Sequence, residues 1–267
     1  VSRMLAYVSP HALPASTALG EPLLRSFLSL ARLHRDGWGY AWATGPSAPP
    51  VLDTGLRDAP ASLSRAAGAP ATTALAYLRF ASSGTGVSPE NLQPFAGDGM
   101  AFAHNGALVP RERAEQRLRA PERRALRGTT DSEVYFALLR RGLRGPRTAS
   151  IETSVAAGVA RMRELYPEAC LNAMLVARGE LVVVHAPGTV GPPLAALAAR
   201  GGAQLPPGHD AGYNALWTTL RPTGARVVAT TGVDLSPRAD GSTWRPLERD
   251  AVHVFAPDGD RRMAQVR

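Results

Sequence analysis

Ser2 carries a hydroxyl near the start of the chain, in the stretch Val1-Ser2-Arg3-Met4-Leu5-Ala6-Tyr7. Three later blocks also hold polar side chains in suggestive order: His34-Arg35-Asp36-Gly37-Trp38-Gly39, Phe102-Ala103-His104-Asn105-Gly106 and Thr129-Thr130-Asp131-Ser132-Glu133. Taken singly, each has a plain structural reading. Gly37-Trp38-Gly39 reads as a strand with a close backbone approach. Asn105-Gly106 reads as a turn at a strand end. Asp131 and Ser132 read as N-cap residues of a helix. No Gly-x-Ser-x-Gly elbow, phosphate-cradling loop, dinucleotide fingerprint or His-Glu-x-x-His spacing is present.

The elements that position these blocks follow from periodicity. Residues 3–9 read as a strand bounded by Pro10. Residues 21–33 have helical spacing and lead into a strand at 37–42, with 51–54 as its hairpin partner. A short helix is expected at 58–67, a buried strand at 74–80, an irregular loop at 82–94 and a strand at 99–104. Helices follow at 110–119, 131–142 and 149–165. A hairpin spans 171–176 and 181–185 across Arg178-Gly179-Glu180. Residues 193–200 read as helical, 201–212 as a Gly/Pro-rich loop, and 216–219, 227–231 and 252–255 as late strands. Short hairpin strands with helices between strand groups argue for an α+β layered domain. No linker or second composition regime appears, so 1–267 reads as one domain.

Composition narrows the function classes. The 267 residues are 45% hydrophobic and 19% charged, ordinary for a globular chain with a sizeable core. No apolar run reaches membrane-spanning length and no signal peptide is apparent, so a cytoplasmic protein is expected. Cys170 is the sole cysteine, which excludes an internal disulfide and a thiolate metal cluster. The net charge is +8, all of its 30 basic residues being arginine. Arg111, Arg113, Arg117, Arg119, Arg123, Arg124 and Arg127 cluster, but Glu112, Glu115 and Glu122 interleave and no aromatic residues accompany them. A solvated face is the better reading than a nucleic-acid surface.

The ordered set says more than its parts. Ser2-Arg3, His34-x-Asp36-Gly37-Trp38-Gly39, Leu78-Arg79-Phe80-Ala81-Ser82-Ser83-Gly84, Asn91-x-x-Pro94-Phe95, Phe102-x-His104-Asn105-Gly106, Thr130-Asp131-Ser132-Glu133 and Leu171-Asn172 together resemble the glutaminase half of class II glutamine amidotransferases. The stand-alone branch that includes the ergothioneine-pathway γ-glutamyl amidohydrolase is the nearer likeness. The resemblance covers residues 2–176. It implies an N-terminal-nucleophile hydrolase fold, a four-layer αββα sandwich with two antiparallel sheets. It implies a glutaminase-like reaction on a γ-glutamyl amide, with no metal and no organic cofactor. A separate ammonia-using synthase is an alternative partner to the small-molecule substrate.

Site roles come with the resemblance. Ser2 occupies the nucleophile slot, and its α-amine would be the general base. Asn105 and Gly106 match the oxyanion hole, Arg79 the clamp on the substrate α-carboxylate, and Asp131 the acceptor of its α-ammonium. The backbone at Ser82 and Ser83 matches the wall along the glutamyl group, and Arg3 and Gly37 the shell around the nucleophile. The chain departs from the family at Tyr77 and Gln93, where histidine is usual, and above all at Ser2, where the family has cysteine. Three accounts of Ser2 stand open: a working oxygen nucleophile, an engineered Cys→Ser change, and natural loss of activity that leaves a glutamine-binding protein. A Val1 that is an undecoded start would be replaced by methionine and removed, which frees the Ser2 amine. Cys170 reads as a small buried hydrophobe.

Overall fold

The computed structural model describes residues 2–82, 84–144, 149–201, 205–238 and 240–267. Its first strand, β1 (Arg3–Leu13), shows how the layers arise. Met4, Ala6 and Val8 point to one face, and Leu5 and Tyr7 to the other. Both faces are apolar, so this strand must be covered on both sides.

The first half continues with α1 (Ala15–Leu19), α2 (Glu21–Ser29), β2 (Trp38–Ala43), β3 (Val51–Gly55), α3 (Ala59–Ala66) and β4 (Ala71–Leu78). Then come β5 (Phe95–Gly97), β6 (Met100–Asn105), α4 (Glu112–Glu115), α5 (Ala120–Arg124), α6 (Asp131–Leu143) and α7 (Ile151–Leu165). The chain closes with β7 (Asn172–Ala177), β8 (Glu180–His185), α8 (Leu194–Gly201), β9 (Leu216–Leu220), β10 (Arg226–Thr230), β11 (Arg245–Pro246), β12 (Ala251–Phe255) and β13 (Arg261–Gln265). Short 3-10 turns at Leu30–Arg32 and Pro89–Asn91 complete it.

The strands form two antiparallel sheets, ordered β11-β9-β10-β1-β4-β2-β3 and β13-β12-β8-β7-β6-β5. Between them lies a core of Met4, Ala6, Val8, Leu75, Ala101, Ala103, Met174, Val176 and Val183. Leu5, Tyr7, Trp38 and Tyr40 on the outer face of the first sheet pack against Leu23, Leu24, Phe27 and Leu63 of α2 and α3. Phe102, Leu175, Val182 and Val254 on the outer face of the second pack against Val134, Tyr135, Val155 and Val159 of α6 and α7. The result is the expected αββα sandwich.

Local details depart from the expected elements for identifiable reasons. β1 runs on past Pro10, which lies where pairing with β4 is interrupted between Val8 and Leu13; an unpaired position tolerates a missing N–H. The helix expected at 110–119 is only Glu112–Glu115, and Pro121 starts a separate turn of helix in α5. β5 pairs with β6 across Asp98-Gly99, both at positive φ. β13 lies on a sheet edge and alternates exposed Arg261, Met263 and Gln265 with half-buried Arg262 and Ala264, which hides it from a hydrophobic pattern. Thr130, not Asp131 or Ser132, caps α6, its Oγ1 accepting from Glu133 N. That shift leaves the Asp131 carboxylate for other partners.

Candidate active site

Ser2 leads into β1, which is paired on both sides by β4 and β10. It is 3% exposed. Its Oγ lies 2.6 Å from the Tyr77 hydroxyl and accepts a hydrogen bond from Phe80 N at 3.2 Å. Arg3, fully buried, fixes the neighbouring backbone. Its Nε donates to Ser2 O at 2.7 Å, and its Nη1 donates to Tyr213 O, Thr231 O and Thr231 Oγ1 at 3.0–3.1 Å. The guanidinium stacks on the Tyr213 ring at 3.5 Å. Burial lowers the Arg3 pKa, a direction opposed by Tyr213 beside it. Arg3 therefore orients the Ser2 segment from behind.

Asn105 ends β6 opposite Asn172 of β7. Its side chain is wholly buried, and neither Nδ2 nor Oδ1 has a hydrogen-bond partner among the described residues. A buried primary amide with both ends unsatisfied costs roughly 1–3 kcal/mol per group, so such atoms call for an explanation. The surrounding turn is held firmly. The Cys170 thiol donates to Asn105 O at 3.0 Å. His104 spans Ser132 Oγ at 2.9 Å and Cys170 O at 3.0 Å. Burial lowers the His104 pKa, so the ring is neutral. A carbonyl only accepts, which puts the proton on Nε2 and makes Nδ1 the acceptor from Ser132. Gln93 Oε1 accepts from His104 N at 2.7 Å. At Gly106 a Cβ would meet Cys170 O at 1.9 Å and His104 Nε2 at 2.4 Å. Gly106→Ala is therefore expected to lower the melting temperature by several degrees and to cut soluble yield, since the obstacle is backbone. Unfolding followed by circular dichroism checks this.

Arg79 follows β4 and is 3% exposed. Its Nη2 donates to Gly86 O at 3.1 Å and its Nη1 to Asp36 O at 3.5 Å. Among the described residues no carboxylate pairs with it. The nearby Asp36 carboxylate instead accepts from Ala81 N at 2.8 Å and pairs with Arg200 at 2.7 Å. Gly37 has φ +135°, and a Cβ there would meet Leu92 Cδ2 at 2.3 Å. So the Asp36-Gly37 stretch is scaffolding that shapes the Arg79 loop. Ser82 O accepts from Thr85 N and Oγ1, which folds the next turn; Ser83 lies outside the described residues.

Asn91 ties this loop to the start of α6. Its Nδ2 donates to Gly86 O and Thr129 Oγ1, and its Oδ1 accepts from Thr129 N. Glu133 accepts from Arg127 N and Gly128 N, both at 2.8 Å. Asp131, at the first position of the helix, accepts from Leu108 N through one carboxylate oxygen. Burial raises the Tyr77 pKa, and the charges of Arg79 and Asp131 also act on this phenol, in opposite directions. Ser2, Tyr77, Arg79 and Asp131 thus share one electrostatic neighbourhood. A groove of about 660 Å³ lies elsewhere and is lined by Leu92, Phe95, Leu126 and Phe136.

No local pattern marks His209, and His34 is marked only as a member of the His34-x-Asp36-Gly37-Trp38-Gly39 block. His34 and His209 bring their Nε2 atoms to 3.4 Å, beside Phe80 and Tyr213. Burial, reinforced by the Arg3 charge, holds the His34 pKa well below its ordinary value, and burial lowers His209 to about 3. Burial also lowers His185, in the second sheet, to about 4. A histidine depressed in the folded state gives a proton-binding advantage to the unfolded chain. Stability is thus retained above pH about 6.5 and lost progressively as pH falls toward 4. Urea denaturation at pH 7, 6, 5 and 4 is expected to show a falling midpoint, with a smaller fall in His209→Asn. Burial pushes the Cys170 thiol up to about 11, so it is un-ionised at neutral pH.

Residues 22–200 match the sequence profile of class-II glutamine amidotransferases, and the chain belongs to that family. Its shape is similar to that of glutamine phosphoribosylpyrophosphate amidotransferase from B. subtilis, complexed with ADP and GMP. The TM-score is 0.66 at 17% identity, over 99% of this chain and 49% of that one. A glutamine aminotransferase class-II domain protein from Silicibacter pomeroyi aligns with a TM-score of 0.60 at 18% identity, over 99% of both chains. These likenesses establish the fold. The chain spans about half the length of the B. subtilis enzyme. No curated protein matches it in sequence. Among the described residues no helix is long and apolar enough to cross a membrane.

Proposed function

We propose that this chain, as one domain over residues 1–267, is a glutaminase-like amidohydrolase that cleaves a γ-glutamyl amide. The substrate is glutamine or a γ-glutamyl conjugate, as in the stand-alone branch of the family. The observation that carries the reading is Asn105: a rigidly held, buried amide whose atoms have no partner among the described residues. Substrate in the site would give it one. Asn105 Nδ2 and Gly106 N would receive the oxyanion, Arg79 the α-carboxylate through two parallel hydrogen bonds, and Asp131 the α-ammonium. The backbone at Ser82 and Ser83 would flank the glutamyl chain, and Gly37 and Arg3 hold the surrounding shell.

In this mechanism the Val1–Ser2 bond is cleaved and the freed α-amine of Ser2 is the base. An unperturbed α-amine, with a pKa of about 7.7–8.0, suits proton transfer near neutrality. It takes the Ser2 hydroxyl proton as Oγ bonds to the amide carbon and the carbonyl π pair moves to oxygen. The intermediate collapses, the C–N bond breaks, and the same proton leaves with ammonia or the amine. Water then hydrolyses the glutamyl ester. No metal or organic cofactor enters these steps. Ammonia released in this way could serve a separate synthase. A second reading, a glutamine-binding protein without turnover, draws on the weaker acidity of a hydroxyl relative to a thiol.

Assays on glutamine and γ-glutamyl anilide, with the chain beginning at Ser2 as verified by intact mass, separate the two. Turnover that Ser2→Ala abolishes is expected. Binding of glutamine with no release of ammonia would favour the second reading.

A further inference from the structure

The contact between Ser2 and Tyr77 bears on why an oxygen stands at position 2. Tyr77 is buried in the core between the sheets, and β1–β4 register places it opposite Met4. Its hydroxyl lies 2.6 Å from Ser2 Oγ, a short O–H···O separation. Among the described residues this is its sole hydrogen bond. Were Ser2 the donor, the buried phenolic proton would have no acceptor. With Tyr77 as donor, both protons are placed: the phenol points at Ser2 Oγ, and the Ser2 proton is free for the α-amine. Phe80 N–H donates to the same Oγ. The serine oxygen thus faces two fixed donors.

We propose that Tyr77 is a further catalytic residue, whose hydroxyl, with Phe80 N–H, stabilises the Ser2 alkoxide and makes position 2 an oxygen-nucleophile site. This rests on the amidohydrolase reading and deepens it. The two donors act where negative charge develops on Oγ as its proton passes to the α-amine. Tyr77 keeps its own proton throughout; it lends a hydrogen bond and no electrons. Burial raises the phenol's pKa, so it stays a donor across the neutral range. The pair is specific for oxygen. Sulfur is a weak hydrogen-bond acceptor, and the larger atom crowds a contact of 2.6 Å. Tyrosine at this position and serine at position 2 are therefore one joint adaptation.

A four-protein cycle tests this: the parent protein, Tyr77→Phe, Ser2→Cys and the double variant Ser2→Cys with Tyr77→Phe, each beginning at residue 2 by mass. Tyr77→Phe keeps the ring, and its melting curve checks folding. In the Ser2 background it is expected to lower kcat about 10²-fold with KM within about twofold, by analogy with loss of one oxyanion donor. The acidic limb of the kcat/KM profile, where the α-amine loses its proton, is expected to stay in place, since the α-amine remains the base. In the Ser2→Cys background the same change is expected to alter kcat less than threefold. Equal losses in both backgrounds, or none in the Ser2 background, would overturn the proposal. A Ser2 protein without turnover beside an active Ser2→Cys would overturn it too, while sparing the amidohydrolase reading. Failure of all four would remove both. Labelling of residue 2 by a diazoketone analogue of glutamine supplies a readout free of ester hydrolysis. Tyr77→Phe is expected to slow that labelling strongly in the Ser2 background and little in the Ser2→Cys background.

Discussion

Asn105→Ala is expected to lower kcat for γ-glutamyl amide hydrolysis by about 10²–10³-fold, or about 3–4 kcal/mol of transition-state stabilisation, with KM within about twofold. The split follows from the geometry. The Asn105 amide is buried and unpartnered among the described residues, and its backbone is fixed by Cys170 and by the β6–β7 pairing. A donor held in place beforehand does not reorganise when the carbonyl oxygen becomes an oxyanion. Its hydrogen bond is therefore stronger in the transition state than in the bound substrate, and its loss falls on kcat. The substitution also removes two unsatisfied buried polar atoms. Asn105→Ala is thus expected to melt at the same temperature as the parent or slightly higher, a stability–activity trade-off. Steady-state kinetics and a thermal melt on the same preparation check both halves. A large fall in melting temperature would mean that Asn105 is structural.

Arg79→Met is expected to act on the other side of that split. It should lower kcat/KM for glutamine by roughly 10²–10⁴-fold, chiefly by raising KM. Each hydrogen bond between charged groups contributes about 1.5–3 kcal/mol, and the guanidinium makes two to a carboxylate. Arg79 suits this because its charge has no carboxylate partner among the described residues, while Asp36 is already engaged by Arg200 and Ala81 N. The loop around it is braced independently by Asn91, so methionine should remove the charge without moving the frame. Arg79→Lys should recover only part of the loss, because an ammonium cannot make both parallel contacts. An anilide substrate lacking the α-carboxylate is expected to be turned over equally by the parent protein and by Arg79→Met. If Arg79→Met reduces its hydrolysis as much as that of glutamine, Arg79 is not the carboxylate clamp.

Much of this arrangement is legible in residue order. The glycines and short apolar runs mark the hairpins, and the apolar run over residues 3–9 marks a strand. The blocks at Asp36-Gly37, Arg79, Asn105-Gly106 and Asp131 stand out in the residue order as the residues of the proposed site. What is not legible depends on register and on distant loops. Tyr77 is visible as a departure from the family pattern, but its contact with Ser2 exists only because β1 and β4 pair with Met4 opposite Tyr77. A one-residue slip would send that phenol to the other face. Tyr213 and Thr231 reach Arg3 from positions more than 200 residues away, with His209 packed on the Tyr213 ring, and no local pattern announces them. Thr130 takes the cap of α6 in place of Asp131 or Ser132. That one-residue difference separates an acid spent on its helix from one that accepts from Leu108 N.

Acylation of Ser2 Oγ is the step on which the mechanism turns. The most direct measurement is rapid acid quench of the chain beginning at Ser2, mixed with γ-glutamyl anilide, followed by mass spectrometry of its N-terminal peptide. A glutamyl ester is expected on Ser2 that forms before steady state, disappears as substrate is exhausted and is absent in Ser2→Ala. Hydrolysis that continues in Ser2→Ala, or turnover with no glutamyl group ever found on Ser2, would contradict the mechanism.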